Sequence, residues 1–414
     1  MRSTSTSRQQ GLALLVFIIV IALASISYFM SGVSPEQLDL DRQAKTRIAL
    51  KQTKSALLAY AMNYPDVAAQ QAPPVFDQGP GKLPCPDVDN DGDADLGCNA
   101  GIESPGRVPY LNLGIEAPRD GDNEVLWYAV SQNFGTAGIN TINTASTGRI
   151  TLKDSAGNIL NDGSGPDGVI AVIISPGATL EREDGVVQSR ALAADKLDPI
   201  NYLDIAFFNT ADEDDNIEFQ NANSNNGLVA GVVRDALGNI VVNDVIETIT
   251  WGEMFEHVHA RVASDVADAI RAYNVSAAAP CTGTWPYATD YDSTIGDGEF
   301  GNDAFDTQRA DGALRVDDPL WEAGGCADGL LPEWFEAERW HMHTFYHVAD
   351  LVDCVGNCLT VDGEGGKQFA LVFTGRHGLD PLANNTLVTF DNENTDGDVT
   401  LGSFDNDSAW GFEP

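Results

Sequence analysis

The chain has 414 residues, with 62 acidic and 23 basic side chains and a net charge of −39. Affinity for nucleic acid rests on neutralising phosphates, so a charge of this sign excludes direct nucleic-acid binding as a function. The chain is also longer than one hydrophobic core usually serves, which predicts more than one folding unit.

Residues 12–30, LALLVFIIVIALASISYFM, stand apart from this acidic background. Three readings compete for them. Arg2 and Arg8 with Ala22-Leu23-Ala24 fit a secretory signal that is removed. The apolar run continues past that site through Ile26, Tyr28, Phe29 and Met30. As a helix it rises about 28 Å, close to the roughly 30 Å hydrocarbon core, which fits a plain membrane anchor. The third reading is a cut at Gly11 that keeps the apolar stretch. Basic residues only ahead of the run place the N-terminus in the cytoplasm and the rest outside.

Ser34-Pro35-Glu36-Gln37 reads as an N-cap, a Pro at the first helical position and a capping-box Gln. The helix it opens runs to about Met62, where Asn63-Tyr64-Pro65 stops it. Arg42, Lys45, Arg47, Lys51 and Lys54 cluster on it. They form either a solvated helix face or a surface that packs on acidic neighbours, from this chain or another.

A short polar leader ending in Arg8-Gln-Gln-Gly11, an apolar helix starting directly after that Gly and an amphipathic continuation resemble the type IV pilin and pseudopilin class. The order of Leu57-Leu-Ala-Tyr-Ala61, Lys82-Leu-Pro-Cys-Pro-Asp87, Gly106-Arg-Val-Pro-Tyr110 and Leu126-Trp-Tyr-Ala-Val-Ser131 resembles a pilin-like periplasmic subgroup. The likeness covers residues 8–180. It implies cleavage by a prepilin peptidase between Gly11 and Leu12, methylation of the new N-terminus and contacts with other pilins or pseudopilins through the N-terminal helix. The family usually has Phe first and Glu fifth in the mature chain; Leu12 and Val16 stand there here. An intramembrane Glu needs a partner, so a subunit without one suits the filament tip, with nothing above it.

Six landmarks of the first part recur in order in the second. These are the helical stretch 258–273, Trp285-Pro-Tyr-Ala-Thr-Asp290, Gly329-Leu-Leu-Pro-Glu-Trp334, Phe345-Tyr-His-Val348, the apolar run 367–374 against 168–175, and Leu379-Asp-Pro381 against Leu197-Asp-Pro199. The expected fold is therefore α+β: a long N-terminal membrane-spanning helix followed by two tandem pilin-like antiparallel-sheet units. The divisions are a leader at 1–11, the helix at 12–64, and units at 65–255 and 256–414. Residues 209–226, acidic and rich in Asn, read as a loop or linker.

All six cysteines lie beyond the apolar stretch, and their even number in an exported region predicts disulfides. Sequence order suggests Cys85–Cys98, Cys281–Cys326 and Cys354–Cys358 among fifteen connectivities; zinc is the rival for the last pair.

Inside the first cysteine loop, Asp87, Asp89, Asp91, Asp93 and Asp95 alternate around Gly92, like the front of an EF-hand calcium loop. The twelfth position, normally a bidentate Glu, is Cys98, which leaves Glu103 or a backbone carbonyl as the remaining ligand. The competing reading is an Asp-rich solvated turn. Residues 290–303 and 391–398 are weaker calcium candidates. Thr374-Gly-Arg-His-Gly378 has the letters of a histidine-phosphatase motif, but too little chain follows for that fold. His341, His343 and His347 fall on one face of an expected strand, where a surface row is commoner than a metal site.

No nucleophile–base pair of familiar spacing is present, so no enzyme is expected. The expected function is a calcium-stabilised minor pilin-like subunit of a type IV pilus or type II secretion-type filament, at the inner membrane with its C-terminal region in the periplasm. The alternative is an inner-membrane-anchored periplasmic calcium-binding protein outside any filament.

Overall fold

Helix α1 (Pro35–Met62) starts at the Pro that the sequence marks as its first position, and the chain breaks at Asn63 before a second short helix, α2 (Tyr64–Ala69), restarts on Pro65. The computed structural model describes residues 15–22, 35–95, 98, 105–136, 141–163, 167–192, 194–209, 212–215, 227–277, 281–286, 288–289, 311–314, 316, 321, 325–348, 359–361, 364–373, 398–399 and 409–411. The buried side chains of α1 lie in its C-terminal half, Leu50, Thr53, Leu57 and Ala61 among them, while Leu38, Leu40 and Ile48 are exposed.

The buried half lies on a four-stranded antiparallel sheet in the order β1 (Gly106–Arg107), β2 (Trp127–Val130), β3 (Val169–Ser175), β4 (Val245–Thr250). β3 is central and covered on both faces, so every residue of its apolar run is buried. β4 leads straight into α3 (Trp251–Asn274) through a capping box between Thr250 and Glu253. Trp251, Met254, Phe255, Val258, Val262, Val266 and Ile270 recur at helical spacing and are all buried. Each large apolar side chain so covered contributes roughly 1.5–3 kcal/mol.

Beyond α3 a second antiparallel sheet runs β5 (Ala288–Thr289), β6 (Asp311–Leu314), β7 (Thr344–Val348), β8 (Phe369–Phe373), β9 (Ala409–Gly411). β1 to β4 and β6 to β9 thus have the same sequential order, and a helix precedes each set. Both sheets feed one core, in which Leu57, Tyr128 and Ile170 join Phe255, Tyr346 and Leu371. α3 packs on α1, β4 and β8.

The expected architecture headed by a long membrane-spanning helix is not what the chain builds. Residues 15–22 are helical and exposed, and among the described residues no helix is long and apolar enough to cross a membrane. α1 has the length, but Glu36, Asp39, Asp41 and the basic cluster from Arg42 to Lys54 exclude it from hydrocarbon. Nor is the remainder simply two antiparallel sheets. The chain is mixed α/β with several small sheets, two of which contain parallel pairs: Leu152–Lys153 with Leu228–Val229, and Leu359–Val361 with Asp398–Val399.

Local turn chemistry explains two of the extra hairpins. Asp154 and Asp235 each accept backbone N–H bonds two and four residues on, and Gly157 and Gly238 take positive φ at the tips. Within the stretch expected as linker, Asp212–Asp215 forms a strand paired with Ile205–Asn209.

Candidate metal-binding loop

The loop of aspartates is built outward from Asp87, which pairs with Arg107 of β1 through two backbone hydrogen bonds. Its carboxylate is 1% exposed and accepts the N–H of Asn90 at 2.5 Å and of Gly92 at 2.8 Å. Burial pushes the Asp87 carboxyl above the ordinary range, while those two amides pull it back. Asn90 and Gly92 both have positive φ. Glycine is required at the second position because a Cβ there would lie 2.5 Å from the Tyr110 ring.

Asp87, Asp89 and Asp95 come together, with one carboxylate oxygen of each within 4.8 Å of the others. Asp95 also accepts the Val88 N–H at 2.6 Å, closing the loop on itself. Asp91 and Asp93 are exposed and lie outside this trio; Asp91 accepts the Asp93 N–H at 2.8 Å instead. Of the five alternating aspartates, these three are brought together. Three carboxylates can face a hard cation, and calcium takes 6–8 oxygens, so carbonyls or water would complete the shell.

The Cys85–Cys98 disulfide brackets the loop with its Cα atoms 5.5 Å apart, and Cys281–Cys326 forms the second pair. Cys98, at the twelfth position, is spent on this bond and offers no oxygen. Cys354, Cys358, Glu103, the acidic stretch 290–303, most of 391–398, Arg376 and His377 lie outside the described residues, as do the processing residues Gly11 and Leu12.

The three histidines do not form a strand row. His341 and His343 sit in the turn Trp340–His343, and only His347 is in β7.

Two buried features had no warning in local sequence. Lys82 and Glu338, 1% and 4% exposed at their side chains, form an ion pair at 3.2 Å. Glu338 also accepts the N–H groups of Gly79 and Ile142, so the turn before β7 is tied to two loops of the first half. Arg107 lies 4.1 Å from the rings of both Trp127 and Tyr202, and Arg190 lies 4.4 Å from Tyr202. Gly106-Arg107 and the Trp of β2 were visible as landmarks; their meeting with Tyr202 was not.

The basic face of α1 divides. Lys54 bonds Glu253 at 2.6 Å and Glu247 at 3.2 Å, both in its own chain. Lys45, Arg47 and Lys51 are exposed and make no ion pair among the described residues. A groove of about 540 Å³ runs between Lys45, Ile48 and Gln52 of α1 and the loop Ile115–Asp120.

No protein-family model, curated protein or solved structure matches this chain.

Proposed function

We propose that the chain is a minor pilin-like subunit of a type IV pilus or type II secretion-type filament, working by assembly rather than catalysis. A prepilin peptidase cuts it between Gly11 and Leu12 and the new N-terminus is methylated. Its globular part lies in the periplasm, where the two cysteine pairs persist. One observation carries this reading: α1 buries its C-terminal half on an antiparallel sheet and leaves most of its N-terminal half exposed, touched only where Arg42 and Thr46 meet Gly121 and Asp122 among the described residues. That is the form of a subunit whose helix is shared between its own core and its neighbours. Leu40 at 64% and Ile48 at 56% exposure, with Lys45, Arg47 and Lys51 making no ion pair among the described residues, give this half both apolar and basic contacts for other pilins.

Mass spectrometry of the mature N-terminus tests it. N-methyl-Leu12 is expected. Ser25 would replace the reading with an ordinary secreted protein, and an uncut Met1 would remove it from filaments.

The trio Asp87, Asp89 and Asp95 favours calcium as a stabiliser, and also favours the second reading, an exported calcium-binding protein outside any filament. Calcium bound only to the folded form at 100 times its dissociation constant raises stability by about 2.7 kcal/mol. Asp89→Ala with Asp95→Ala removes that gain, whereas Asp91→Ala with Asp93→Ala keeps most of it. Melting with millimolar calcium decides, and an unchanged melting temperature leaves the loop a solvated turn. Calcium stabilisation without cleavage at Gly11 selects the second reading.

A further inference from the structure

His259 occupies the joint between α3 and the second half. It is 4% exposed, and neither ring nitrogen has a hydrogen-bond partner. Its ring stacks on Phe373 of β8 at 5.4 Å with an interplanar angle of 6°, and meets Trp340 edge-on at 5.9 Å. On its own helix, Phe255 lies 5.5 Å away and Trp251 6.2 Å. A ring surrounded by four aromatics fits only as the neutral imidazole. A charge in that box has no counter-ion and no hydrogen bond, and loses the water that would hydrate it outside.

The surrounding groups make the problem worse rather than relieving it. β8 brings no titratable side chain. The turn Trp340–His343 brings His341 and His343, the latter 9% exposed, and β7 brings His347 at 8%. Among the described residues no carboxylate offsets a proton on His259; the group that bears on it is His343, a second potential cation. Burial, and after it His343, lowers the pKa of His259 to about 3; burial, and after it His341, lowers that of His343 to about 4.

We propose that His259 is an acid-released latch: neutral, it lets Trp340 and Phe373 close on α3, and its protonation drives the second half off that helix. Trp340 and Phe373 both belong to the second half, and α3 remains attached to the first through the chain continuity of β4. The element that moves is thus the turn with β7 and β8, and the interior it leaves is aromatic. This inference does not depend on the filament assignment, since the latch would act in an isolated chain.

The sign follows from linkage. A histidine whose folded pKa lies below its free value of about 6.5 contributes its full docking stability above pH 6.5 and loses it as pH falls toward the folded value. Each such histidine lowers the ratio of docked to undocked forms by up to ten-fold per pH unit.

The experiment follows hydrogen exchange of the intact protein from pH 7.5 to 4.5, reading protection factors in β7 and β8 relative to β3. In the parent chain the ratio is expected to hold down to about pH 6.5 and then to drop by ten-fold or more per unit. His259→Phe fills the same box without a titratable group and should remove ten-fold per unit from that slope; His343→Gln serves as the companion variant for the rest. A parent ratio that stays flat, or a slope unchanged in His259→Phe, overturns the latch. If His259→Phe does not fold, the parent's ring resonance decides: His259 titrating near pH 6.5 while β8 stays protected overturns it, and titration only together with loss of protection supports it.

Discussion

The two halves differ in whether they bury histidine. Around the first sheet the enclosed groups include four carboxyls, Asp87, Asp120, Asp204 and Asp244, beside the cations Lys82, Arg107, Lys153 and Arg182, each at most 5% exposed. Around α3 and the second sheet the enclosed groups are three imidazoles, His259, His343 and His347, and one carboxyl, Glu338, each at most 9% exposed. Burial pushes the Asp204 carboxyl up to about 6, against the pull of hydrogen bonds from Asn243 and Gln188. A raised carboxyl binds its proton more tightly in the fold, so its contribution is fullest in acid and is lost as pH rises through about 6. The lowered histidines do the reverse. One acidic chain therefore contains a region that loosens in base and another that loosens in acid, and the net charge of −39 foretells neither.

An acid titration should have the largest effect on that contrast. Between pH 6.5 and 4.5 the second half should lose up to roughly 1.4 kcal/mol per pH unit for each of His259 and His343, while the strand Ile205–Asn209 next to Asp204 gains protection. Exchange of both segments in one sample measures the divergence. If both lose protection together, the halves do not titrate independently and the contrast fails.

Next in size is the ionic tie between the halves. Lys82→Met leaves Glu338 buried among Gly79 and Ile142 without its cation, and removing one partner of a buried pair costs roughly 3–5 kcal/mol. Burial already raises the Glu338 carboxyl, with Lys82 opposing, so the variant should recover stability as pH falls and Glu338 takes a proton. Lys82→Met with Glu338→Gln should regain part of the loss. Urea unfolding at pH 7.5 and 5.5 checks both, and a loss of less than about 1 kcal/mol would reduce the tie to the worth of a surface pair.

What could be read in the sequence was local. Pro35 and Asn63-Tyr64-Pro65 carry their stop and start chemistry within a turn, and α1 runs between them. The unbroken apolar run of β3 announces a strand covered on both faces. α3 begins at Trp251, ahead of the apolar stretch 258–273, because Thr250 and Glu253 stand at capping-box spacing. Tertiary packing decided the rest. Lys82 finds Glu338 across most of the chain, and His259 differs from any helix-face histidine only by which strand covers it. In the metal loop the composition was legible, but the folding of Asp95 back onto Val88 selects three carboxylates from five.

A smaller contrast lies within α1. Leu57 is fully buried and Leu40 is 64% exposed on the same helix. Leu57→Ala should cost roughly 2–5 kcal/mol, and Leu40→Ala should stay within about 0.5 kcal/mol for the isolated chain. Comparable losses by thermal melting would mean that the free half of α1 is covered too.

The smallest expected effect tests whether the halves are coupled at all. Thr250 ends β4 and caps α3: its Oγ1 accepts the Glu253 N–H at 3.4 Å, and Glu253 accepts the Thr250 N–H at 3.0 Å. Glu253 is also bonded by Lys54 of α1, so three elements meet at one cap. Thr250→Ala removes the hydroxyl but keeps the backbone bond, for a cost of about 1 kcal/mol. The cost falls on the first turn of α3, where Trp251 and Phe255 stack at 4.4 Å and begin the wall of the His259 box. If α3 transmits between the sheets, both should melt earlier by the same few degrees, in one transition. If the second half docks on α3 as a separate unit, the variant should lower the melting of β7 and β8 while that of β2 and β3 stays put. Calorimetry with site-resolved exchange separates these outcomes at pH 7.5, where His259 is neutral and the second half is docked, and the first is expected there because one core runs through both sheets.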